Sequence, residues 1–373
     1  MKRETTNQLR GFTLVELMIA MAVGLVVMAA ATQLFKSGMD ATLLVTEQAE
    51  MQQNVRSALN LIAKDVSMAG AGMPPGGLNL PYGAGAVAST FACNQTPTCY
   101  VTSNTYPTGT IGTPATTVTN FMFALLPGPA RGMEKGSWTA TIPATGTTPD
   151  SITSIYVDYS FPLSDYAITF PAAPTGSFVN VGATPAGDPA IMSPTGIKAG
   201  DLILLSNPLG SAIGEVTTPA ANKITFADSD ALKINQTGAA QGNIKNISGG
   251  SPTKAYRLQA VTYFIEVPTV ASGLTPRLMR QVNGQSAVAV ADNIIDLQFT
   301  YDACDNTNSG GASPTCAAMP DPIGNAPSYS PNQIHKVNIQ VVGQSLLGPG
   351  KKSRSMALVT SVSTRNLSFR DHF

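Results

Sequence analysis

The sequence carries little charge. Only 12% of its 373 residues are Asp, Glu, Lys or Arg, and 22 basic residues balance 22 acidic ones. Proteins that bind nucleic acid through its phosphates need a positive surface, so this composition argues against nucleic acid as a partner. The length is not limiting, because a chain of this size can bury a sizeable core.

Histidine is almost absent, with His335 and His372 as the only imidazoles. His335 opens a predicted strand and His372 is the penultimate residue, so neither lies beside an obvious nucleophile. The chain also has no G-x-S-x-G or H-E-x-x-H motif. We therefore expect no enzyme and no cofactor, and we place both histidines on the surface.

Only four cysteines occur, in two close pairs: Cys93 with Cys99, and Cys304 with Cys316. Neither pair has CxxC spacing or a nearby histidine, which disfavours a zinc site. Each pair brackets a turn-rich loop, and short loops close at low entropic cost. We expect local disulfides and hence an oxidising compartment, although four cysteines allow three connectivities and the sequence alone does not choose among them.

A calcium site is one hypothesis for the loop YDACDNTNSGGASPTC, residues 301–316. Asp302, Asp305, Asn306 and Asn308 offer oxygen ligands there. No acid closes the loop at its twelfth position, so the spacing differs from that of an EF-hand. We expect a polar turn at this position and no metal site.

The long hydrophobic run lies near the N-terminus. From Phe12 to Phe35 the only charged residue is Glu16, and a helix of this length, roughly 36 Å, can cross a bilayer. The basic residues before the run are Lys2, Arg3 and Arg10. The positive-inside rule therefore predicts that residues 1–11 stay in the cytoplasm and that the chain after about residue 36 lies outside.

Three interpretations of this run compete. In a conventional signal peptide, Ala29 to Ala31 supply the cleavage site and Thr32 the new N-terminus, but Glu16 then interrupts the apolar region. In a plain membrane anchor, Thr13 and Glu16 form a T-x-x-E capping box at the helix start, where a carboxylate is favourable. The third interpretation comes from a family resemblance.

The stretch RGFTLVELMIA, residues 10–20, resembles the class III signal of type IV pilins and pseudopilins. The resemblance implies that a prepilin peptidase cuts after Gly11 and methylates the new N-terminal residue, Phe12. It also implies that Glu16, the fifth residue of the mature chain, acts in assembly. Its carboxylate would pair with the Phe12 amine of a neighbouring subunit, because an unpaired charge in a low-dielectric filament core is costly.

Beyond residue 35 the hydrophobic pattern becomes amphipathic. Apolar residues recur at three- and four-residue steps, at Met51, Val55, Ala58 or Leu59, Ile62, Val66 and Ala69. Polar residues, including Lys64 and Asp65, fall mostly between them, and glycines and prolines from Gly70 onwards predict the helix end. If Gly38 does not break it, one helix of roughly 85 Å runs from about Thr13 to Ala69. A juxtamembrane coiled coil is the alternative, but heptads are not sustained over residues 36–46.

Strand-like runs follow, separated by clusters of Gly, Pro, Asn and Asp. They are rich in β-branched and aromatic residues and span 151–160, 201–207, 222–228, 260–268, 294–302, 335–343 and 356–366. No helix-length amphipathic segment separates them, so the sheet must be largely antiparallel. We expect an α+β, pilin-like fold, in which a long N-terminal helix packs on a large β-rich domain built from two half-barrel-like sheets or one meander.

A narrower resemblance covers the helix end and several strands. RSALNLIAKDVSMAG, residues 56–70, resembles the helix end of PilW-type minor pilins and of J-type pseudopilins of type II secretion. The PilW resemblance continues through AGDLILLSN, YRLQAVTYFIEVP, PRLMRQVNG, ADNIIDLQFTYD and the strand ending in TRN. Residues 76–150 and 303–333 have no counterpart in it. Length favours the PilW type, because J-type pseudopilins tend to be much shorter.

The expected organisation has four parts. Residues 1–11 form a cytoplasmic leader, 12–35 a transmembrane and filament-core helix, and 36–70 its amphipathic continuation. Residues 71–373 form a periplasmic or extracellular β-rich domain, with inserted loops around 76–150 and 303–333.

The resemblance implies a structural function. A PilW-like minor pilin starts in the inner membrane as a single-pass protein and is processed by the prepilin peptidase. It then joins other minor pilins and the major pilin, primes a type IV pilus and lies at or near its tip on the cell surface. The alternatives are a J-type pseudopilin of a type II secretion system and, in another class, a secreted adhesin or binding domain with an ordinary signal peptide.

Overall fold

The computed structural model describes residues 12–74, 76–87, 89–94, 120–128, 149–266, 275–305, 315–318, 331–345 and 354–367. Over these residues the chain forms one long α-helix, α1, followed by antiparallel β-sheets. The predicted α+β fold is confirmed: a long apolar N-terminal helix packs on a large antiparallel β-rich domain, which fits the pilin-like layout.

The helix α1 spans Leu14–Met68. The strands in the described residues are β1 (Leu78–Leu80), β2 (Cys93–Asn94), β3 (Asn120–Met122), β4 (Leu125–Gly128), β5 (Ser151–Val157), β6 (Ile168–Thr169), β7 (Phe178–Val181), β8 (Leu202–Asn207), β9 (Gly210–Glu215), β10 (Thr218–Ala220), β11 (Lys223–Thr225), β12 (Lys254–Glu266), β13 (Arg277–Val282), β14 (Val288–Asp292), β15 (Ile294–Asp305), β16 (Thr315–Ala318), β17 (Ile334–Gln344) and β18 (Ser355–Ser363). Short 3-10 turns lie at Leu163–Asp165, Ile244–Ile247 and Pro331–Gln333.

The strands form four sheets in the described part of the chain. The central sheet has the order β14-β13-β12-β5-β4, and the long strand β12 also pairs with β8, which pairs with β9. The C-terminal sheet has the order β16-β15-β17-β18. Two smaller sheets have the orders β1-β3-β2 and β10-β11-β7-β6. The described residues therefore form four sheets, two of them small, where the sequence predicted two half-barrel-like sheets or one meander.

The helix begins and ends where the sequence predicts, to within one residue. Thr13 is its N-cap, with extended backbone (φ −76°, ψ 151°), and Ala69 is its C-cap. Gly70 follows in the left-handed region (φ +83°), a conformation that glycine adopts without strain and that commonly ends helices. Gly38 does not break the helix, which at this length is roughly 80 Å long.

Only the C-terminal part of α1 packs on the β-domain. Met51, Val55, Ala58, Ile62 and Val66 are buried, and they share one hydrophobic cluster with residues of the central and C-terminal sheets. Full burial of a large apolar side chain stabilises the folded state by about 1.5–3 kcal/mol. These residues therefore hold the helix on the domain, as their spacing predicts.

Asp65 departs from the predicted pattern. The sequence pattern placed it among the polar residues between the apolar positions, but it is only 3% exposed. It lies three residues after Ile62 and seven after Ala58, so it shares the inward face of the helix. Lys64, by contrast, is exposed as expected.

Two further large hydrophobic clusters, and a small one around Phe121 and Phe123, lie beyond the helix in the described part of the chain. One includes Phe161, Tyr166 and Phe226 and lies between the small sheet β10-β11-β7-β6 and strands β8 and β9. The other includes Leu78 and Met122 and joins the small sheet β1-β3-β2 to strands of the central sheet. The β-domain therefore has apolar clusters of its own away from the helix.

The predicted strands are all present among the described residues, but the sequence pattern missed several others. The predicted runs correspond to β5, β8, β11, β12, β15, β17 and β18, with bounds shifted by a few residues. Strands β6, β7, β10 and β14 were missed because they are two to five residues long. Such short runs give too few alternating positions to distinguish a strand from a loop.

Candidate processing and assembly site

The start of α1 carries the residues that the sequence marks for processing and assembly. Glu16 and Thr13 form a reciprocal capping box. The Thr13 backbone N–H and hydroxyl both donate to Glu16 Oε2 at 3.0 Å, and the Glu16 N–H donates to Thr13 Oγ1 at 3.3 Å. The predicted T-x-x-E cap is thus confirmed.

This cap stabilises the Glu16 carboxylate at the start of an otherwise apolar helix segment. A carboxylate in the first helical turn interacts favourably with the helix dipole and with N–H groups that have no partner within the helix. In the described residues, however, no ion pair involves Glu16. The cap satisfies its hydrogen bonds but leaves its charge without a counter-ion among those residues.

Phe12 is the first described residue, and its side chain is 88% exposed. Gly11 and the bond between Gly11 and Phe12 lie outside the described residues. The predicted cleavage between them and the methylation of Phe12 therefore stay predictions. The same holds for the pairing of Glu16 with an amine of another subunit.

The apolar half of α1 projects from the β-domain. Within the described residues, α1 is the one helix long and apolar enough to cross a membrane, and none of that apolar stretch is buried. Large side chains such as Leu25, Val26 and Phe35 are more than two-thirds exposed. Exposed apolar area on this scale requires a lipid or protein environment, because water disfavours it.

Two threonine hydroxyls in and just beyond this apolar half are hydrogen-bonded within the helix. Thr32 Oγ1 donates to the carbonyls of Met28 (3.0 Å) and Ala29 (2.9 Å), and Thr42 Oγ1 donates to the Gly38 carbonyl at 3.0 Å. A hydroxyl without a partner is costly in an apolar medium. With these bonds made, the two threonine hydroxyls keep their partners when the helix exchanges lipid for protein neighbours.

Asp65 fixes the other end of α1 to the domain. Its carboxylate accepts hydrogen bonds from Tyr156 Oη (3.1 Å), Tyr263 Oη (2.5 Å) and Arg280 Nε (3.1 Å). Burial, followed by the nearby Asp65 charge, raises the pKa of both tyrosines above their usual value. Both phenols therefore stay protonated and keep donating across the physiological pH range.

The cysteines can be placed only in part. Cys93 lies in β2, while Cys99 lies outside the described residues. Cys304 in β15 and Cys316 in β16 are directly opposite in the antiparallel register. Directly opposite residues have Cα atoms about 4.5–5.5 Å apart, within the range that a disulfide spans. The Cys304–Cys316 disulfide stays a prediction, and so does a link between Cys93 and Cys99.

The described residues contain no metal-ligand cluster. No group of three or more His, Cys, Asp or Glu residues able to hold a metal ion occurs among them. In the loop of the calcium hypothesis, residues 301–316, Asp302 Oδ2 lies 3.7 Å from Lys336 Nζ. Asn306 and Asn308 lie outside the described residues. His335 is exposed, as expected, and His372 also lies outside the described part of the chain.

Comparison with known proteins identifies the N-terminal segment. Residues 7–32 match the family described as the prokaryotic N-terminal methylation motif. This match indicates a type IV pilin-like or pseudopilin protein, a class of structural proteins, and it implies processing by prepilin peptidase and assembly with other pilins. No curated protein and no solved structure matched the chain.

The match and the exposed helix together indicate membrane anchoring, with the rest of the chain outside the cytoplasm. The matched segment includes the capping box and the apolar run as far as Thr32, but none of the β-domain. Sequence reasoning therefore found the methylation motif and the helix cap, while the roles of Gly11, Phe12 and Glu16 stay predictions. It missed the Asp65 cluster, whose signal was a carboxylate in register with Ala58 and Ile62 on the apolar face.

Proposed function

We propose that this chain is a PilW-like minor pilin, a structural component that helps prime a type IV pilus and lies at or near its tip. The observation that carries the proposal is the combination of the methylation motif with a helix whose apolar half is exposed and whose other half holds a large β-domain. The narrower sequence resemblance, from residue 56 onwards, supports the PilW type over other pilins.

In this proposal the prepilin peptidase cuts after Gly11 in the inner membrane and methylates Phe12. Cleavage creates an ammonium group four residues before Glu16. When the helix leaves the bilayer for the filament, that ammonium of one subunit pairs with the Glu16 carboxylate of another. The pair sets the axial register, because an unpaired charge in an apolar core costs several kcal/mol, by order of magnitude.

The size of the domain supports a position at the tip. Each subunit would carry about 300 residues outside its helix, and so large a domain is difficult to repeat along a thin shaft. A low-copy position at the end of the filament avoids that crowding. Imaging of pili in which this chain is repeated along the shaft would contradict the tip position.

The test combines mass spectrometry of the mature N-terminus with two substitutions in the full chain. We expect methylated Phe12 when the peptidase is present, and an uncut precursor for Gly11→Ala. Glu16→Ala should be cut normally but should enter pili poorly, because loss of a well-buried charge pair costs about 3–5 kcal/mol. A mature N-terminus at Thr32 would instead support ordinary secretion and contradict the proposal.

The capping box provides a matched control for Glu16. Thr13→Val removes the cap, which is worth about 1 kcal/mol, but keeps the carboxylate. If Glu16 pairs with another subunit, Thr13→Val should assemble much better than Glu16→Ala. If both variants fail equally, Glu16 acts only as part of the cap.

A J-type pseudopilin of a type II secretion system is the second candidate. The methylation motif favours it as much as a pilin, because the match indicates either class. The two are separated by their partners. Purification of the full chain with pilus subunits supports the first function, and purification with secretion-system pseudopilins supports the second.

A further inference from the structure

The last strand, β18, forms an edge of the C-terminal sheet and pairs along its whole length with β17. The register runs from Ser355 to Ser363 without a bulge. The strand contains no charged residue, no proline and no glycine. Long, flat, uncharged edge strands are unusual on exposed surfaces, because they offer a ready template for another strand.

The hydrogen bonds at the two ends of the pair show which backbone groups face outward. The Thr364 N–H donates to the His335 carbonyl at 3.0 Å, and the Ser345 N–H donates to the Arg354 carbonyl at 2.8 Å. In an antiparallel pair, such hydrogen-bonded positions alternate with positions whose N–H and C=O point away from the partner. Even-numbered residues of β18 therefore bond to β17. The outward-facing positions are Ser355, Ala357, Val359, Ser361 and Ser363.

These outward backbone groups are open within the described part of the chain, where no other strand pairs with that side of β18. Four of the five residues are exposed, and the Val359 side chain is 53% exposed. On the other face Leu358 and Val362 are only partly buried against the helix cluster. An added strand would satisfy the backbone groups and cover these apolar side chains further.

Three other edge strands in the described residues, β9, β14 and β10, carry features that hinder strand addition. The end of β9 is covered by Asn235, which binds both the N–H (2.8 Å) and the carbonyl (2.6 Å) of Glu215. The end of β14 is approached by the helix residue Asn54, whose Nδ2 donates to the Asp292 carbonyl at 3.4 Å. The edge strand β10 carries Pro219, a residue that hinders strand addition. β18 lacks each of these protections.

The charged residues that flank β18, and its position beside α1, indicate which kind of segment could pair with its open edge. Arg354 and Arg365 are exposed and flank the uncharged strand. The strand also adjoins α1, where Asn366 Nδ2 donates to the Ser67 carbonyl at 3.4 Å. The edge thus lies near the helix that, under the proposed function, packs against other pilins. A matching segment would have an uncharged centre and acidic residues at its ends.

We propose that β18 receives an extended, uncharged segment with acidic ends from the β-domain of a neighbouring pilin-like subunit, as an added strand. The inference rests on the proposed function, because it assigns the strand to a partner in the same filament or priming complex. Helix packing would bring the two subunits together, and the added strand would select the partner through its register and its acidic ends.

The test uses substitutions at Val359 in the full chain. Val359→Pro removes an outward N–H without removing a bond to β17, and Val359→Lys adds a charge to the edge. Both should lower incorporation into pili about tenfold or more, while unfolding temperatures stay close to that of the parent. Val359→Thr keeps the N–H and the branched side chain and should assemble like the parent.

A photo-crosslinking residue at position 359 identifies the occupant. We expect a cross-link to an uncharged segment with acidic ends in another protein that carries a methylation signal. A cross-link within the same chain, or to a second copy of it, overturns the proposal. If the parent enters pili and Val359→Pro enters within twofold of it, the strand proposal alone fails. If the parent does not enter pili, the proposed function fails with it.

Discussion

Replacing Asp65 with alanine should weaken the attachment of α1 to the β-domain. The carboxylate is 3% exposed and accepts from Tyr156, Tyr263 and Arg280. Alanine removes all three acceptor contacts and leaves the Arg280 guanidinium without its ion-pair partner at 3.1 Å. The loss acts on the helix and on the central sheet together, because Tyr156 lies in β5, Tyr263 in β12 and Arg280 in β13.

The size of the effect follows from the burial of the cluster. Breaking a fully buried ion pair costs about 3–5 kcal/mol, mainly because one charge stays buried and unpaired. The Arg280 side chain is 26% exposed, so water solvates part of its charge. We therefore expect Asp65→Ala to lower the free energy of unfolding by about 2–4 kcal/mol. Asp65→Asn should cost less, because its amide oxygen still accepts a hydrogen bond.

The assay is chemical unfolding of the full chain in detergent, followed by the near-ultraviolet circular dichroism of its tyrosines. Lys64→Ala is the matched control, because Lys64 is adjacent in sequence but exposed, and it should change stability by less than about 0.5 kcal/mol. The double variant Asp65→Leu with Arg280→Met removes both charges and should be more stable than Asp65→Ala. If Asp65→Ala and Lys64→Ala are equally stable, the cluster does not hold the helix.

Two further predictions concern packing and pH. At Gly343 a Cβ atom would clash with Val55 Cγ2 and lie 3.3 Å from Met51 Cγ. Gly343→Ala should therefore lower the free energy of unfolding by about 1–3 kcal/mol in the same assay. Unchanged stability would mean that the helix can shift away from the sheet. Burial raises the pKa of Glu215 from 4.5 to about 7, and it also raises that of its hydrogen-bonded neighbour Asp230. The stabilising contribution of protonated Glu215 is thus present below pH 4.5 and lost as pH rises through 7. The free energy of unfolding should fall by roughly 1–3 kcal/mol between about pH 5 and 8. In the Glu215→Gln variant this pH dependence should be flatter. If the variant shows an equally steep pH dependence, another group causes the effect.

The helix and its cap could be predicted because their signals are local. Thr13 and Glu16 have the spacing of a capping box, and the apolar pattern reaches Ala69 without interruption by proline. Residues a few positions apart determine both features, so one sequence contains all the necessary information. The longer strands were predictable for the same reason.

The missed features depend on contacts between distant residues. Asp65 is buried because Tyr156, Tyr263 and Arg280 meet it from three strands far away in sequence. Its carboxylate alone predicts an exposed position, since unpaired Asp residues are almost never buried. The open edge of β18 is likewise a property of the sheet order, and the strand order is not encoded in the pattern of the strand itself.

Because burial of α1 begins at Met51, the folding stability of the β-domain is separate from the free energy of moving the first part of the helix out of the membrane. No helix residue before Met51 is buried, so the β-domain keeps its whole core while the first part of the helix changes its surroundings. Extraction from the bilayer therefore requires no unfolding of the domain, and the stability of the domain does not oppose it. Core substitutions should change how much protein accumulates, whereas substitutions before Met51 should change how readily each molecule leaves the membrane.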